Sequence, residues 1–197
     1  MTTRQGPDAG VAKPRAGVSP VPISEHLAGI RALVGSRLLL IPAVAAIVCD
    51  AAGAVLLQRR SDNGLWSLPG GALDPGEAPG RAVVREVWEE TGLLVRPVRL
   101  LGVFAGLPYR TAYPNGDLAE PCITVFGCER LAGHLEALDG ESLELRYFPP
   151  DALPELPLPY PRELLRPWPA ATAPAFDWHE TWLDGLEPAP GERRAHP

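Results

Sequence analysis

Glu86, Glu89 and Glu90 stand at i, i+3 and i+4 within GALDPGEAPGRAVVREVWEETGL, residues 71–93. On an α-helix these spacings share one face, inside an arc of about 100°. Three like charges held that closely oppose the helix unless a cation neutralises them. Mg2+ takes carboxylate oxygens and binds through a few of them together with substrate phosphates. The residue types therefore point to a Mg2+ site for phosphate chemistry, with Mn2+ as the substitute ion. The alternative is a solvated acidic helix face.

The flanking residues favour the metal. Val83, Val84, Val87 and Trp88 are expected on the opposite, core-facing side of the same helix. Gly92 stands where a left-handed cap ends it. The preceding LPGGALDPGEAPG is rich in glycine and proline and can bring backbone carbonyls close to an ion. Arg85 can hold a glutamate in place by charge-assisted hydrogen bonds.

Gly71, Glu77, Arg85, Glu86, Val87, Glu89, Glu90, Gly92 and Leu93 fill every defined position of a known signature. The segment resembles that of the Nudix hydrolases, of the MutT-like and ADP-ribose pyrophosphatase-like kind. The likeness runs from about Ile41 to Leu165, through LLQRRSDNGLWSLPGG before the box and ELRYFPPDAL after it. It implies a metal-binding loop–helix–loop that hydrolyses a diphosphate bond in a nucleoside diphosphate linked to another group, or in a nucleoside triphosphate. It also implies the Gly71 carbonyl as an additional ligand, and a dimer.

Roles follow by position. Glu86 and Glu90, one turn apart, are expected as the primary metal ligands. Glu89 is expected to reach the ion directly or through water, or to act on the attacking water itself. Glu77 and Arg85 are expected to orient the helix and its acids. A divalent metal withdraws charge and orients the diphosphate, but a carboxylate must still accept a proton. That base comes from the box, as Glu89 or Glu86, or from downstream, where Glu141 and Glu144 precede the RYF segment. Arg59 and Arg60 are candidates for phosphate, although Arg60 can instead pair with Asp62. Phe104, Tyr109 and Tyr113 could stack on a base, and loop tyrosines also occur without any ligand. Trp66 is expected in the core. A catalytically silent nucleotide sensor on the same scaffold is the competing function, and the complete set of box acids argues against it.

The elements that position these residues can be read from pattern. Ser24 caps a helix over Glu25–Val34, which Gly35 ends. Strands are expected over 43–49 and 54–59, joined by the hairpin signal Asp50-Ala51-Ala52-Gly53, with a short extended piece at 66–68. The acidic helix spans about 79–91. Further strands are expected over 95–105, with a bend, and over 121–130 and 143–148. A helical turn is expected at 150–153 and a last short helix at 162–166. Strands flanked by helices imply an α/β/α sandwich with a mixed, partly antiparallel sheet.

With 197 residues, 46% of them hydrophobic, the chain suits one domain, residues 23–168, with tails. The first twenty-two residues and the proline-rich 169–197 are expected to be disordered. In FDWHETWLDGLE, Trp178, Trp182 and Leu186 fall at helical spacing, so a short docking helix over 176–186 is an alternative. A net charge of −6 without a basic cluster disfavours a nucleic-acid polymer as partner but not a small nucleotide. Cys49, Cys122 and Cys128 form neither a disulfide framework nor a metal-ligand spacing. The apolar run 38–49 is too short to cross a bilayer. The expected setting is the cytoplasm, away from membranes.

Overall fold

A computed structural model of the chain describes residues 24–113, 115–168 and 174. The tails expected at 1–22 and 169–197, including the docking helix at 176–186, lie outside the described residues apart from Pro174. Helix α1 runs Glu25–Val34, with the Ser24 hydroxyl accepting the Leu27 N–H and Gly35 closing it. The strands are β1 Leu39–Val48, β2 Val55–Arg60, β3 Trp66–Ser67, β4 Leu93–Phe104, β5 Thr111–Ala112, β6 Leu118–Gly133 and β7 Ser142–Phe148. Helix α2 is Pro79–Thr91.

The strands form a mixed pair of sheets. In the first, β6 lies between β1, which it pairs in parallel, and β4, which it pairs antiparallel, and β5 joins the start of β6. In the second, β2 lies antiparallel between β3 and β7. The turn at Asp50–Gly53 forms as expected: Asp50 Oδ1 accepts the Ala52 and Ala54 N–H groups at 2.9 Å. It does not make a hairpin, however. A single bridge, Cys49 to Val55, joins its arms before β1 and β2 part into different sheets. A turn of this kind satisfies either course, and the pairing is set by what lies beside each strand.

The core is two layers of side chains on either face of the strands. One contains Val44, Ala46, Val48 and Leu56 with Ala82, Val83 and Val87 of α2. The other contains Ala45, Ile47, Val55 and Leu57 with Phe104, Ile123, Val125, Leu164 and Leu165. Alternation along β1 and β2 thus feeds both layers, which explains why both strands read as nearly unbroken apolar runs. The fold is an α/β/α sandwich with a mixed sheet.

On the side away from α2 a 3-10 turn, Leu107–Tyr109, and the strap 149–168 cover the core, and among the described residues the strap carries no helix. The turn expected at 150–153 makes one hydrogen bond, Ala152 to Pro149, and the helix expected at 162–166 is corrected to turns, with Leu164 bonded to Pro161 and Leu165 to Arg162. Pro154 and Pro161 to Pro167 bound segments too short to nucleate one. This strap still seals the core through Leu164 and Leu165. Trp168 lies against Gly127, where a Cβ would meet the indole at 2.3 Å.

Candidate active site

Helix α2 starts at Pro79, whose fixed φ suits a first helical position, and stops at Gly92, which takes φ 70° and ψ 8°. Its buried face is Ala82, Val83, Val87, Glu90 and Thr91. Trp88, expected in the core, is 41% exposed, and Glu90 occupies the inward side instead. The three acids therefore sit at three depths. Glu90 is 2% exposed, the Glu86 side chain is mostly covered, and Glu89 is half-exposed.

The loop before α2 lies along β1. Ala46 N–H donates to Pro69 O at 2.8 Å, Val44 N–H to Gly71 O at 2.9 Å, and Leu73 N–H to Pro42 O at 3.1 Å. This course presses the glycines against the acids. Gly70 N–H donates to Glu90 Oε2 at 2.7 Å. Gly70 has φ 151°, and a Cβ there would lie 2.2 Å from Val44 O, so glycine alone fits. A Cβ on Gly71 would lie 2.7 Å from the Glu86 carboxyl atoms, so that carboxylate rests on bare backbone.

Arg85 ties the acids together. Its Nε and Nη2 donate to the two Glu77 oxygens at 3.0 and 2.8 Å, and Nη1 donates to Glu86 at 2.8 Å and to Glu89 at 3.1 Å. Nη2 also reaches the Ala72 carbonyl at 3.1 Å. Hydrogen bonding from Arg85 holds Glu77 below the usual carboxylate range. Burial pushes Glu86 up, opposed by Arg85 and reinforced by Glu89 and Glu77. Burial raises Glu90 well above that range, with Glu86 adding to the rise and the Gln58 amide, Gly70 N–H and Arg60 opposing it. Glu86 thus repels a Glu90 carboxylate that is itself out of water.

The loop between β6 and β7 is pinned to the end of α2: Glu136 N–H donates to Thr91 O at 2.9 Å and Leu138 N–H to Glu89 O at 3.0 Å. It delivers Glu141, whose carbonyl accepts the Ser61 N–H at 2.8 Å. Burial, then Asp139, Glu86 and Asp62, lift Glu141 to about 7 against the pull of Arg60. Glu144 is placed otherwise. It pairs with Arg59 across β2 and β7 and binds Arg59 and Arg146. Antiparallel partners share a face, so Glu144 and Arg59 point away from Gln58.

Of the remaining candidates, Arg60 makes the two-point pair with Asp62, at 2.9 and 2.8 Å, while lying within electrostatic reach of Glu90. Phe104 and Tyr109 are corrected: at 2% and 3% exposure they pack with Tyr160 in the core and offer no face to a base. Their place at the edge of the long loop disguised this, because the strap that buries them comes from 153–168. Tyr113 is 39% exposed and lies within electrostatic reach of Arg60 and Asp62. Trp66 packs against the core and meets Phe148 edge-on at 4.8 Å. Gln58 and Ser142 were missed. The signal was a lone amide in the apolar run VLLQ, since a buried polar side chain needs a partner.

Among the described residues no three or more His, Cys, Asp or Glu side chains converge as around an ion. Arg85 stands between Glu86 and Glu89, and Glu90 turns inward. The donor set nevertheless fits a hard divalent cation. It is all oxygen, with Glu90 buried, Glu86 mostly covered and the two within electrostatic reach. The Gly71 carbonyl, which gives one lone pair to Val44, keeps a second. The described residues include no helix long and apolar enough to cross a membrane, and the three cysteines are unpaired.

Comparison with known proteins gives the family. The model of the NUDIX domain matches residues 39–169, and the chain belongs to the Nudix family. The chain is 38% identical over 112 residues to a MutT-like protein of Streptomyces ambofaciens, covering 57% of this chain and 66% of that one. It is also 38% identical over 124 residues to an ADP-ribose pyrophosphatase of Methanocaldococcus jannaschii, covering 61% and 69%. The match thus spans just under two thirds of the first relative and slightly more of the second. Among solved structures, a UDP-X diphosphatase superposes with a TM-score of 0.52 at 27% identity, covering 68% of this chain and 63% of that one. An ADP-ribose pyrophosphatase of Streptococcus suis gives 0.50 at 29% identity, covering 64% and 86%.

Proposed function

We propose that this chain is a Mg2+-dependent pyrophosphohydrolase that cleaves the diphosphate bond of a nucleoside diphosphate linked to another group. One observation carries the reading: Glu90 is buried and Glu86 mostly covered, both raised by desolvation and Glu90 further by Glu86, beside the bare backbone of Gly70 and Gly71. Such a pair is stable as anions only with added positive charge, which a divalent cation supplies. The names of the relatives, an ADP-ribose pyrophosphatase and a UDP-X diphosphatase, favour a nucleotide-linked substrate over a free triphosphate. Residues 23–168 form the catalytic unit, active as a dimer in the cytoplasm. The unpaired cysteines support that compartment.

Glu86, Glu90 and the Gly71 carbonyl would hold the ion, with Glu89 beside them. The ion supplies charge withdrawal from the diphosphate. Arg85 keeps Glu86 and Glu89 in fixed orientation, and Glu77 keeps Arg85 there. Glu141 is the preferred base. A half-covered carboxylate near 7 both exists in its basic form at neutral pH and takes a proton from water readily. Glu144, held by two arginines on the other face, is less suited. Tyr113 and Arg60 border the same region and are the remaining contacts for the nucleotide.

The test is a panel of ADP-ribose, a UDP-linked sugar, nucleoside triphosphates and RNA with a 5′-triphosphate, each incubated with Mg2+ and with Mg2+ plus EDTA. Chelator-sensitive release of a mononucleotide from the linked diphosphates is expected. Binding of a nucleotide without cleavage of any compound would replace the enzyme with a sensor.

A further inference from the structure

Gln58 belongs to β2 and is fully buried on the α2 side of the sheet, next to Leu56 in register. Its Oε1 accepts a short hydrogen bond from the Ser142 hydroxyl. Its Nε2 is buried with no acceptor in hydrogen-bonding geometry among the described residues. A side-chain amide in that position is costly unless something satisfies it. The group it acts on is Glu90, whose charged form it favours. The amide thus lies within reach of the Glu90 carboxylate, and no hydrogen bond closes between them.

Ser142 has a position that matters. A register shift between Arg59 and Arg60 skips one residue of β7, so Arg59 faces Glu144 while Arg60 faces Ser142. That shift brings the Ser142 hydroxyl to Gln58, immediately after Glu141. Two buried polar side chains, bonded to one another, therefore stand between the loop carrying Glu141 and the innermost acid of α2. Neither is part of the signature from Gly71 to Leu93.

We propose that Gln58, locked at its carbonyl by Ser142, is a positioning residue that aims the Glu90 carboxylate at the divalent cation. The inference rests on the reading of Glu86 and Glu90 as ligands. With Gly70 N–H on one oxygen and the amide of Gln58 beside it, the carboxylate cannot rotate freely, and it keeps lone pairs for an ion. Partners of this kind typically change metal affinity by about 10–100-fold when removed.

The experiment measures Mn2+ binding to the substrate-free protein by electron paramagnetic resonance, with thermal melting as the control for folding. Q58M, which keeps the length of the side chain but removes its amide, is expected to weaken Mn2+ by about 10–100-fold. S142A is expected to weaken it in the same direction by less. The double variant should match Q58M, because the hydroxyl acts only through the amide. Mn2+ affinity in a folded Q58M within about twofold of wild type overturns the proposal. If Q58M does not fold, an unchanged affinity in S142A overturns it in the same way. E90Q separates the two levels. Wild-type binding that survives E90Q defeats the ligand reading itself, whereas binding lost in E90Q but retained in Q58M defeats this inference alone.

Discussion

Arg85 grips Glu77 from eight residues away by a two-point fork, Nε to Oε1 at 3.0 Å and Nη2 to Oε2 at 2.8 Å. The fork leaves Nη1 for Glu86 and Glu89, so one planar cation sets the geometry of three carboxylates. Glu77 in turn accepts the Asp74 N–H, which closes the loop onto the helix. A lysine keeps the charge but has no fork. R85K is therefore expected to lower kcat/KM by about 10–100-fold, as loss of an orienting partner does. Comparison of steady-state rates with circular dichroism checks it, and activity within about twofold of wild type would show that charge alone suffices.

Glu90 carries a second expectation, about stability. Burial raises its folded-state pKa above the unfolded value. Such a group contributes stability that is fully present below the unfolded pKa, about 4.3 for glutamate, and is lost as pH rises through the folded value. E90Q removes that loss while keeping an acceptor for Gly70. In EDTA, E90Q should melt with wild type near pH 4 and above it at pH 8, by a few °C, on the order of 1 kcal/mol. Excess Mg2+ should reverse the order at pH 8. Equal melting temperatures at pH 8 in EDTA would mean that Glu90 is not desolvated.

Glu141 and Glu144 are separated by pH profiles. With Glu141 lifted to about 7, its basic form is present above that pH and protonated below it. The rate should therefore fall on the acid side of neutrality. E141Q should lose that limb and about 10²–10⁴ in kcat, the usual contribution of a general base. E144Q should stay within about threefold and keep the limb. A profile for E141Q that retains the limb would return the role to the box acids.

The sequence showed the acidic helix with its bounds, Pro79 to Thr91, because a proline start, a glycine stop and the period of its apolar face agree. It showed the Ser24 cap and the mixed α/β pattern for the same local reasons. The depth of each acid was not legible. Periodicity put Trp88 inward and grouped the glutamates, whereas the packing of Val83 and Val87 on β1 and β2 rotates Glu90 inward and Trp88 out. Nor could the sequence tell Glu141 from Glu144. That choice depends on a single skipped residue opposite Arg59 and Arg60, and spacing along one strand carries no sign of it.

Phe104 and Tyr109 give a prediction of the opposite kind. Both are core residues, so F104A should cost about 3–5 kcal/mol of stability. Y109F, which removes the hydroxyl that reaches Pro159 O at 3.2 Å, should cost about 1 kcal/mol. KM for the nucleotide should not change in folded Y109F, and denaturant melts with Michaelis kinetics measure both. A several-fold rise in KM without loss of stability would put Tyr109 at the ligand.

Mn2+ titration of the substrate-free protein, wild type against E86Q and E90Q, tests the central claim most directly. Saturable binding that drops at least tenfold in each variant is the expected result. Equal binding in all three proteins, or no binding by a protein that still hydrolyses its substrate, would contradict it.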